Sequence, residues 1–338
     1  MRWLLLVFAS ACSFSARSAE QPTTDAASIS DGLSADCTPN ATACDGRVRK
    51  VCGADGHWNP TLDTVCDFTC SAGACVVASN VPLPDVRMCT STGPALAPPA
   101  GATVTVSSTG GVHLDCAPDC GNSVTRIDAT AVFTNMEPNL AWFCLGSIDM
   151  PAGTKLVAAD ASVPSAAIAF VVDGAVSIAG GIALDGGNAT HDVPGGVGGP
   201  GGYAGSDLTS SANSDGHGPC GGKGGGHDGP GIGSHWIGGG GGGGGNGTAG
   251  ALGGKGRCSN GDHDGAGGDI SDGTCSVATL IPLVGGSGGG AAGDGTVNVQ
   301  QGWAGGGGGG ALQISSRVSI SITGSVTARG GAGYGEVG

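Results

Sequence analysis

Two stretches of the chain decide its fold: AIAFVVDGAVSIAGGIALDGG from Ala167 to Gly187, and ALQISSRVSISITGSVTARGG from Ala311 to Gly331. They align without a gap, and each predicts a strand, a tight turn, a second strand and a glycine pair. The first copy has Ile168, Phe170, Val176, Ile178, Ile182 and Leu184 where the second has Leu312, Ile314, Ile320, Ile322, Val326 and Ala328. This internal repeat predicts two equivalent structural units.

Short strands broken by fixed turns are what a parallel β-helix requires, because each coil buries its inward apolar side chains only against neighbouring coils. The pattern x-V-x-I-x-G-x-I-x-L-x-G-G resembles the glycine-rich right-handed parallel β-helix of many bacterial surface proteins. The resemblance covers about residues 145–190 and 311–331, and it implies a fold rather than an activity. An antiparallel sandwich built from the same strands is the alternative.

Composition divides the chain into segments, and we expect an all-β protein beyond the N-terminus. The expected segments are a signal peptide (1–11), a lipidated N-terminus and flexible stalk (12–36), a cysteine-rich module (37–78), a β-helix-like region (89–187), a glycine-rich low-complexity insertion (188–310) and a β-helix-like repeat (311–338). Glycine loses the most backbone entropy on ordering and buries no side chain, so the insertion is expected to be mostly loop or disordered. Its alternatives are a strand at 279–284 and stacked, extended polyglycine helices.

The N-terminus predicts export and lipid attachment. A single arginine precedes the apolar run Trp3–Phe8, and small residues from Ala9 lead to Cys12. This tail resembles a bacterial lipobox, which implies a palmitate-bearing lipoprotein anchored through Cys12. Ser13 after that cysteine implies the outer membrane and cell surface as the location. Ala9 replaces the usual Leu, and an ordinary secretory signal with an accidental cysteine is the alternative.

The remaining cysteines predict disulfide bonds, because an exported chain meets an oxidising compartment. Thirteen of the 14 cysteines remain after Cys12, so either one thiol stays free or the last group pairs across chains. The candidates are Cys37, Cys44, Cys52, Cys66, Cys70 and Cys75, then Cys89, Cys116, Cys120 and Cys144, and finally Cys220, Cys258 and Cys275.

The first six cysteines mark a small module. A segment this short buries too little apolar surface to fold alone, and disulfides make up the shortfall. Alternation around Val48 and Val51, followed by Asp55-Gly56, predicts a hairpin. The spacing resembles the cysteine-rich repeats of secreted myxobacterial proteins, which implies a spacing or binding role in a myxobacterial-type surface lipoprotein. Zinc at C-x3-C is the alternative, with His57 as the nearby histidine.

Charge excludes one class of partner. The formal net charge is −14, and only 12% of residues are charged. A phosphate backbone would be repelled, so nucleic acid is not expected. We expect the protein to contact the membrane through its lipid. The other expected partners are extracellular polysaccharide or other surface proteins.

A calcium loop is the best metal candidate. Asp262, Asp264, Asp269 and Asp272 supply carboxylates around Gly265 and Gly267, as a hard cation with oxygen ligands needs. Ala266 and Gly273 stand where further ligands belong, so a hydrated turn is the alternative. No other cofactor is expected.

No catalytic constellation is evident. The segment 285–289 fits G-x-S-x-G, but more glycine follows where a nucleophile elbow needs a helix. His191, His227 and His263 each precede an Asp at a spacing of 36, which is coincidence unless ordered coils lie beneath them. The sequence therefore favours a non-enzymatic structural or adhesive protein. The alternative is a polysaccharide-binding or polysaccharide-cleaving β-helix, whose groove must carry aromatic or acidic residues.

Overall fold

The computed structural model describes residues 36–66, 69–76, 80–81, 89, 93–108, 111–134, 139–158, 166–190, 195–207, 215–225, 244, 282–291 and 303–334. These residues form strands and turns without an α-helix, so the described part of the chain is all-β, as expected. The strands are β1 (Thr42–Asp45), β2 (Val48–Val51), β3 (Thr64–Val65), β4 (Thr69–Ser71), β5 (Ala74–Val76), β6 (Ala95–Leu96), β7 (Thr103–Ser107), β8 (His113–Ala117), β9 (Arg126–Asp128), β10 (Ala131–Phe133), β11 (Asn139–Leu145), β12 (Ser147–Met150), β13 (Lys155–Ala158), β14 (Ala166–Val172), β15 (Val176–Ile178), β16 (Gly181–Ala183), β17 (Leu312–Ser316), β18 (Ile320–Ile322) and β19 (Val326–Thr327).

The cysteine-rich module contains two small antiparallel sheets. Strands β1, β2 and β3 form one, and β4 pairs with β5 in the other. Gly46, with φ of +58°, makes the turn between β1 and β2, where a side chain would be strained. Cys52 forms an antiparallel bridge with Trp58 across a turn at Gly56. The hairpin expected from this sequence is therefore present.

Three further sheets share a common plan. The first has the order β10-β11-β14-β17, the second β18-β15-β12-β6, and the third β19-β16-β13-β7-β8-β9. Strands β11–β13 form a first triplet, β14–β16 a second and β17–β19 a third, with one strand of each triplet in each sheet. Equivalent strands of successive triplets pair in parallel. The first and third sheets are mixed, because β8, β9 and β10 join them by antiparallel pairing, whereas every pair in the second sheet is parallel.

The register between the second and third triplets is the register of the sequence repeat. Ile168 lies beside Leu312, Val176 beside Ile320 and Ile182 beside Val326. The two copies are adjacent in space although the whole insertion separates them in sequence. The insertion therefore connects the second triplet to the third, and these two triplets are neighbours in all three sheets.

The hydrophobic core lies between the three sheets. Alternate residues of each strand point into it, including Phe143, Ile148, Phe170, Val176 and Ile182, all buried. The rings of Phe143 and Phe170 meet edge to face, with centroids 5.6 Å apart, an arrangement that aromatic quadrupoles favour.

The outer face of the first sheet is covered as well. Leu140 and Trp142 of β11 pack there with Val81, Cys89 and Leu283, from segments before and after the first two triplets. Every residue of β14 is consequently buried. Burial on both faces explains why this strand is an uninterrupted apolar run rather than an alternating one.

The two ends of the triplet stack differ. At the N-terminal end, β8 and β9 continue the third sheet, and Leu114 and Ile127 from these strands are buried in the common core. At the other end, the third triplet has no further strand beside it among the described residues. Its aliphatic side chains Val318, Ile320, Ile322 and Val326 are exposed.

The described parts of the insertion are not strands, yet they are closely packed. Gly196 donates its backbone N–H to the Gly305 carbonyl and Gly199 to that of Gly308, a spacing of three residues on both segments. Further backbone hydrogen bonds join segments 195–207, 216–225, 284–291 and 304–311. A spacing of three is typical of extended polyglycine helices, which the sequence left as the alternative to loop or disorder.

Close backbone approach makes specific glycines indispensable to this packing. A Cβ added at Gly308 would overlap the carbonyl oxygen of Gly286, whereas one at Gly330 would lie 3.4 Å from the Gly307 oxygen. We expect Gly308→Ala to destabilise the protein by about 1–3 kcal/mol, because backbone must move to admit the methyl group. Gly330→Ala, the matched control, should change stability by less than about 0.5 kcal/mol.

Thermal unfolding followed by circular dichroism checks this pair of variants. A melting temperature for Gly308→Ala within a degree or so of that for Gly330→Ala would show that the glycine segments are not packed against one another as described.

Candidate functional site

The cysteines form the covalent framework of the molecule. All eleven cysteines in the described part of the chain are disulfide-bonded, Cys220 among them. The pairs are Cys37–Cys52, Cys44–Cys70, Cys66–Cys75, Cys89–Cys144 and Cys116–Cys120. The expectation of disulfides is confirmed for these residues. Cys12, Cys258 and Cys275 lie outside the described residues.

One of these bonds fastens the cover over the first sheet. Cys89 is buried and bonded to Cys144 of β11, and the Cys89 carbonyl accepts a hydrogen bond of 2.7 Å from Nη1 of Arg317. The same guanidinium pairs with the carboxylate of Asp173. Arg317 thereby joins the third triplet both to the second triplet and to the covering segment. A mostly buried charge needs such a partner to offset its desolvation.

Two more side chains join the repeats where the insertion departs. Asp185 Oδ1 accepts a hydrogen bond of 2.6 Å from the Arg329 backbone N–H, and its Oδ2 accepts one of 3.2 Å from Thr327 Oγ1. Asn188 Oδ1 accepts a 2.7 Å bond from the Ala332 N–H. The hydrogen bonds that Asp185 and Asn188 accept from backbone N–H groups both span 144 residues, which is the offset between the two repeats.

A groove of about 290 Å³ lies beside Asp185. Its described lining consists of Val157, Ala158, Ala183, Asp185, Gly186, Gly187, Asn188 and Val197. Asp185 is the one carboxylate in this lining, and it already accepts hydrogen bonds. Glycoside hydrolysis needs two carboxyl groups facing each other, so the described lining does not assemble that chemistry.

A second groove of about 240 Å³ lies within the glycine segments. Its described lining is Gly244, Ser287, Gly289, Gly290, Gly305, Gly306, Gly307, Gly330, Gly331 and Gly333. The neighbouring residues Trp303 and Tyr334 stack, with ring centroids 5.1 Å apart and planes at 28°. The Tyr334 N–H donates 3.1 Å to the Ala304 carbonyl, and the pair lies close in sequence to the lining residues Gly305 and Gly333.

This second groove is the better candidate for a binding site. Its described lining carries no titratable side chain and offers backbone groups, one hydroxyl and an aromatic pair nearby. Such a surface suits a neutral, hydroxyl-rich ligand, because aromatic faces contact apolar C–H groups while backbone groups bond hydroxyls. Among its described lining residues, no acid or base accompanies the Ser287 hydroxyl.

Sequence reasoning missed this aromatic pair. Trp303 precedes the second repeat in the sequence, and Tyr334 follows it. No periodic signal links the two residues, which meet only because the third triplet returns the chain to the glycine segments. Ser287 of the G-x-S-x-G match accepts a 3.1 Å hydrogen bond from the Cys220 N–H and is followed by glycine segment rather than helix.

The metal candidates lie elsewhere. Asp262, Asp264, Asp269 and Asp272 are outside the described residues, as are the three His-Asp pairs. Within the described ranges, no three His, Cys, Asp or Glu side chains gather as a metal site would require. The calcium hypothesis therefore stays a prediction.

A search for a membrane-spanning helix, made over the described residues alone, finds none. Comparison with known proteins finds no similarity: no family model matches the chain. No curated protein and no solved structure matches it either.

Ion pairs shift the pKa of several exposed groups. Lys50 lies 2.6 Å from Asp45 and lowers the pKa of that carboxyl by hydrogen bonding and charge. In the insertion, partial burial of Asp215 opposes ionisation, but hydrogen bonds from Lys223 and the Gly224 N–H lower its pKa overall. In the cysteine-rich module, Asp36 Oδ2 accepts a 3.0 Å hydrogen bond from His57 Nδ1 and thereby raises the pKa of His57 above its ordinary value.

The His57–Asp36 pair predicts a measurable pH dependence. We expect NMR titration of His57 to give a pKa above 6.5, and Asp36→Asn to bring it down towards that value. Because the folded-state pKa is raised, the pair contributes stability fully below pH 6.5 and loses it as the pH rises through the raised pKa. An unchanged His57 pKa in Asp36→Asn would contradict the contact.

Proposed function

We propose that this protein is an exported lipoprotein of the outer membrane and cell surface, with a structural or adhesive role and no enzymatic activity. The observation that carries the proposal is that every described cysteine is oxidised. Disulfides persist in the periplasm and outside the cell, whereas cytosolic reductants keep thiols reduced. An attachment through an acylated Cys12, with a stalk before Cys37, would hold the folded part off the membrane.

We further propose that the three triplets are coils of a right-handed parallel β-helix, with β8–β10 as an antiparallel cover. Parallel pairing of equivalent strands in three sheets around one core supports this fold. Right-handed connection is the rule where a chain returns to pair in parallel within one sheet. Such a scaffold has buried strands and short turns, which suits display better than conformational change.

Lipid attachment is tested by expressing the full chain in a Gram-negative host with a clickable palmitate analogue. We expect the label on the wild-type protein and on Cys37→Ser, but not on Cys12→Ser, because acylation requires that single thiol. Cys37→Ser is the matched control, since it removes a cysteine of the module without touching the lipobox.

The same samples show whether the compartment is oxidising. Intact mass before and after reduction counts the bridges, and we expect the described pairs to be present in the wild type. A protein recovered from the cytosol, unlabelled and with free thiols at these positions, would contradict the proposal.

A second candidate function is polysaccharide binding without cleavage. The Trp303–Tyr334 pair favours it, because aromatic rings close in sequence to the lining of a polar groove suit a sugar ring. This candidate is compatible with the first, since an adhesive surface protein needs a ligand.

Polysaccharide binding is tested by a retention assay on immobilised polysaccharides, with and without calcium. We expect saturable retention that Trp303→Ala weakens about tenfold or more, the loss typical of an anchoring aromatic residue. Trp58→Ala, in the cysteine-rich module, is the control and should bind normally. Calcium is varied because Asp262, Asp264, Asp269 and Asp272 are expected to hold it. Equal retention of both variants would reject this groove as the site.

A further inference from the structure

The third triplet presents an apolar surface that its predecessor buries. Val176 and Ile178 are 1% exposed, whereas the residues beside them in register, Ile320 and Ile322, are 48% and 42% exposed. Val326 is likewise exposed although its partner Ile182 is buried. The same inward positions are therefore covered in one triplet and uncovered in the next. An exposed row of this kind is typical of an interaction surface.

The β18 edge of the third triplet is short but carries neither the charge nor the proline that commonly prevents strand pairing. Natural edge strands carry inward charges, proline or bulges that prevent another strand from adding to the sheet. Strand β18 reads Ile320-Ser321-Ile322 and carries none of these. It pairs with β15 on one side and with no described strand on the other. The edge is thus open to a further strand.

At the opposite end of the stack, the second sheet ends in β6, whose Leu96 is buried, and the described residues expose no apolar row there, which restricts how a second copy can approach. Leu114 and Ile127 of β8 and β9 are buried over that end, so it offers no matching apolar row. Head-to-tail stacking of copies would require both ends to be open. Two copies can still meet by their third triplets, related by a two-fold axis, and their β18 strands would then run antiparallel.

The sequence of β18 is self-complementary in that arrangement. An antiparallel pair centred on Ser321 places Ile320 of each copy opposite Ile322 of the other. Ser321 then lies opposite its own equivalent, and Ser319 opposite Thr323. Apolar residues meet apolar residues on the inner face, and hydroxyls meet hydroxyls, as stable cross-strand pairs require.

Charge also favours contact at this end. The chain carries −14 overall, so most faces of two copies repel each other. Residues 311–334 contain Arg317 and Arg329 and no Asp or Glu, and Arg317 is paired with Asp173. The third triplet therefore presents no negatively charged side chain, although the molecule as a whole is acidic.

We propose that the third triplet is the interface of a two-fold symmetric homodimer, in which the β18 strands of two copies pair antiparallel about Ser321. At roughly 3.3 Å per extended residue, residues 312–327 give an edge of about 50 Å, and a depth of about 10 Å gives about 500 Å² per copy. The total of about 1,000 Å² lies at the lower limit for a specific interface, so dimerisation depends on concentration.

A cysteine substitution tests the geometry. In the full chain exported to the periplasm, Ser321→Cys places two thiols opposite each other, and we expect a reducible dimer on a non-reducing gel. Ser177→Cys is the matched control, because Ser177 is exposed and lies beside Ser321 one strand inward. Across the two-fold axis its thiols would be about 14 Å apart, beyond the about 7 Å between Cα atoms that a disulfide allows.

A charge substitution tests the energetics. Light scattering of the detergent-solubilised full chain over a concentration series, corrected for bound detergent, should show a monomer–dimer equilibrium. Ile320→Lys should weaken dimerisation at least about tenfold, because it buries an unpaired charge on each side of the axis. Val65→Lys, at an exposed aliphatic residue of the cysteine-rich module, should leave it unchanged.

The two tests together decide the matter. A dimer trapped by Ser321→Cys but not by Ser177→Cys supports the interface even if Ile320→Lys folds poorly. A protein that stays monomeric at every concentration and is not trapped by Ser321→Cys overturns the proposal. So does equal trapping of both cysteine variants, or assembly into open filaments.

Discussion

The structure depends on the in-register stacking of the second and third triplets. Ile168, Val176 and Ile182 lie directly beside Leu312, Ile320 and Val326, although the insertion separates the two sets in sequence. A single triplet has one apolar row and cannot enclose it, so burial requires a neighbour on the same sheets. Closing so long a loop costs only slightly more entropy than closing a short one, because the cost grows logarithmically with length. A large insertion is therefore tolerated between adjacent strands.

The molecule uses three sources of cohesion in different places. The triplets bury aliphatic and aromatic side chains, the N-terminal module relies on three disulfides, and the glycine segments rely on backbone hydrogen bonds. Each backbone hydrogen bond contributes about 0.5–1.5 kcal/mol net to the stability of the fold. Ordering a glycine costs more backbone entropy than ordering any other residue, so these segments need many hydrogen bonds between closely spaced backbones. The absence of Cβ atoms is what permits that approach.

The candidate sites lie where these regions meet rather than within one of them. The Asp185 groove forms where the chain leaves the second triplet, and the Trp303–Tyr334 pair forms where it joins and leaves the third. Neither carries paired acids or a nucleophile with a base among the described residues. The second groove is lined chiefly by glycine backbone, whereas the first also presents Asp185, Asn188 and aliphatic side chains.

The sequence by itself determined the repeat register and the all-β class, because these follow from apolar periodicity, and it predicted the disulfides of the described cysteines. It also identified the two repeats, whose aliphatic positions match one by one. The first triplet escaped detection because its three strands pair with the next triplet at spacings of 27, 28 and 26 residues, so no ungapped alignment exists, although inward residues such as Phe143 and Phe170 match. Tertiary structure alone decided which cysteines pair, how the glycine segments pack, and that Trp303 meets Tyr334. Those contacts join residues with no shared period, and only the path of the folded chain brings them within reach of each other.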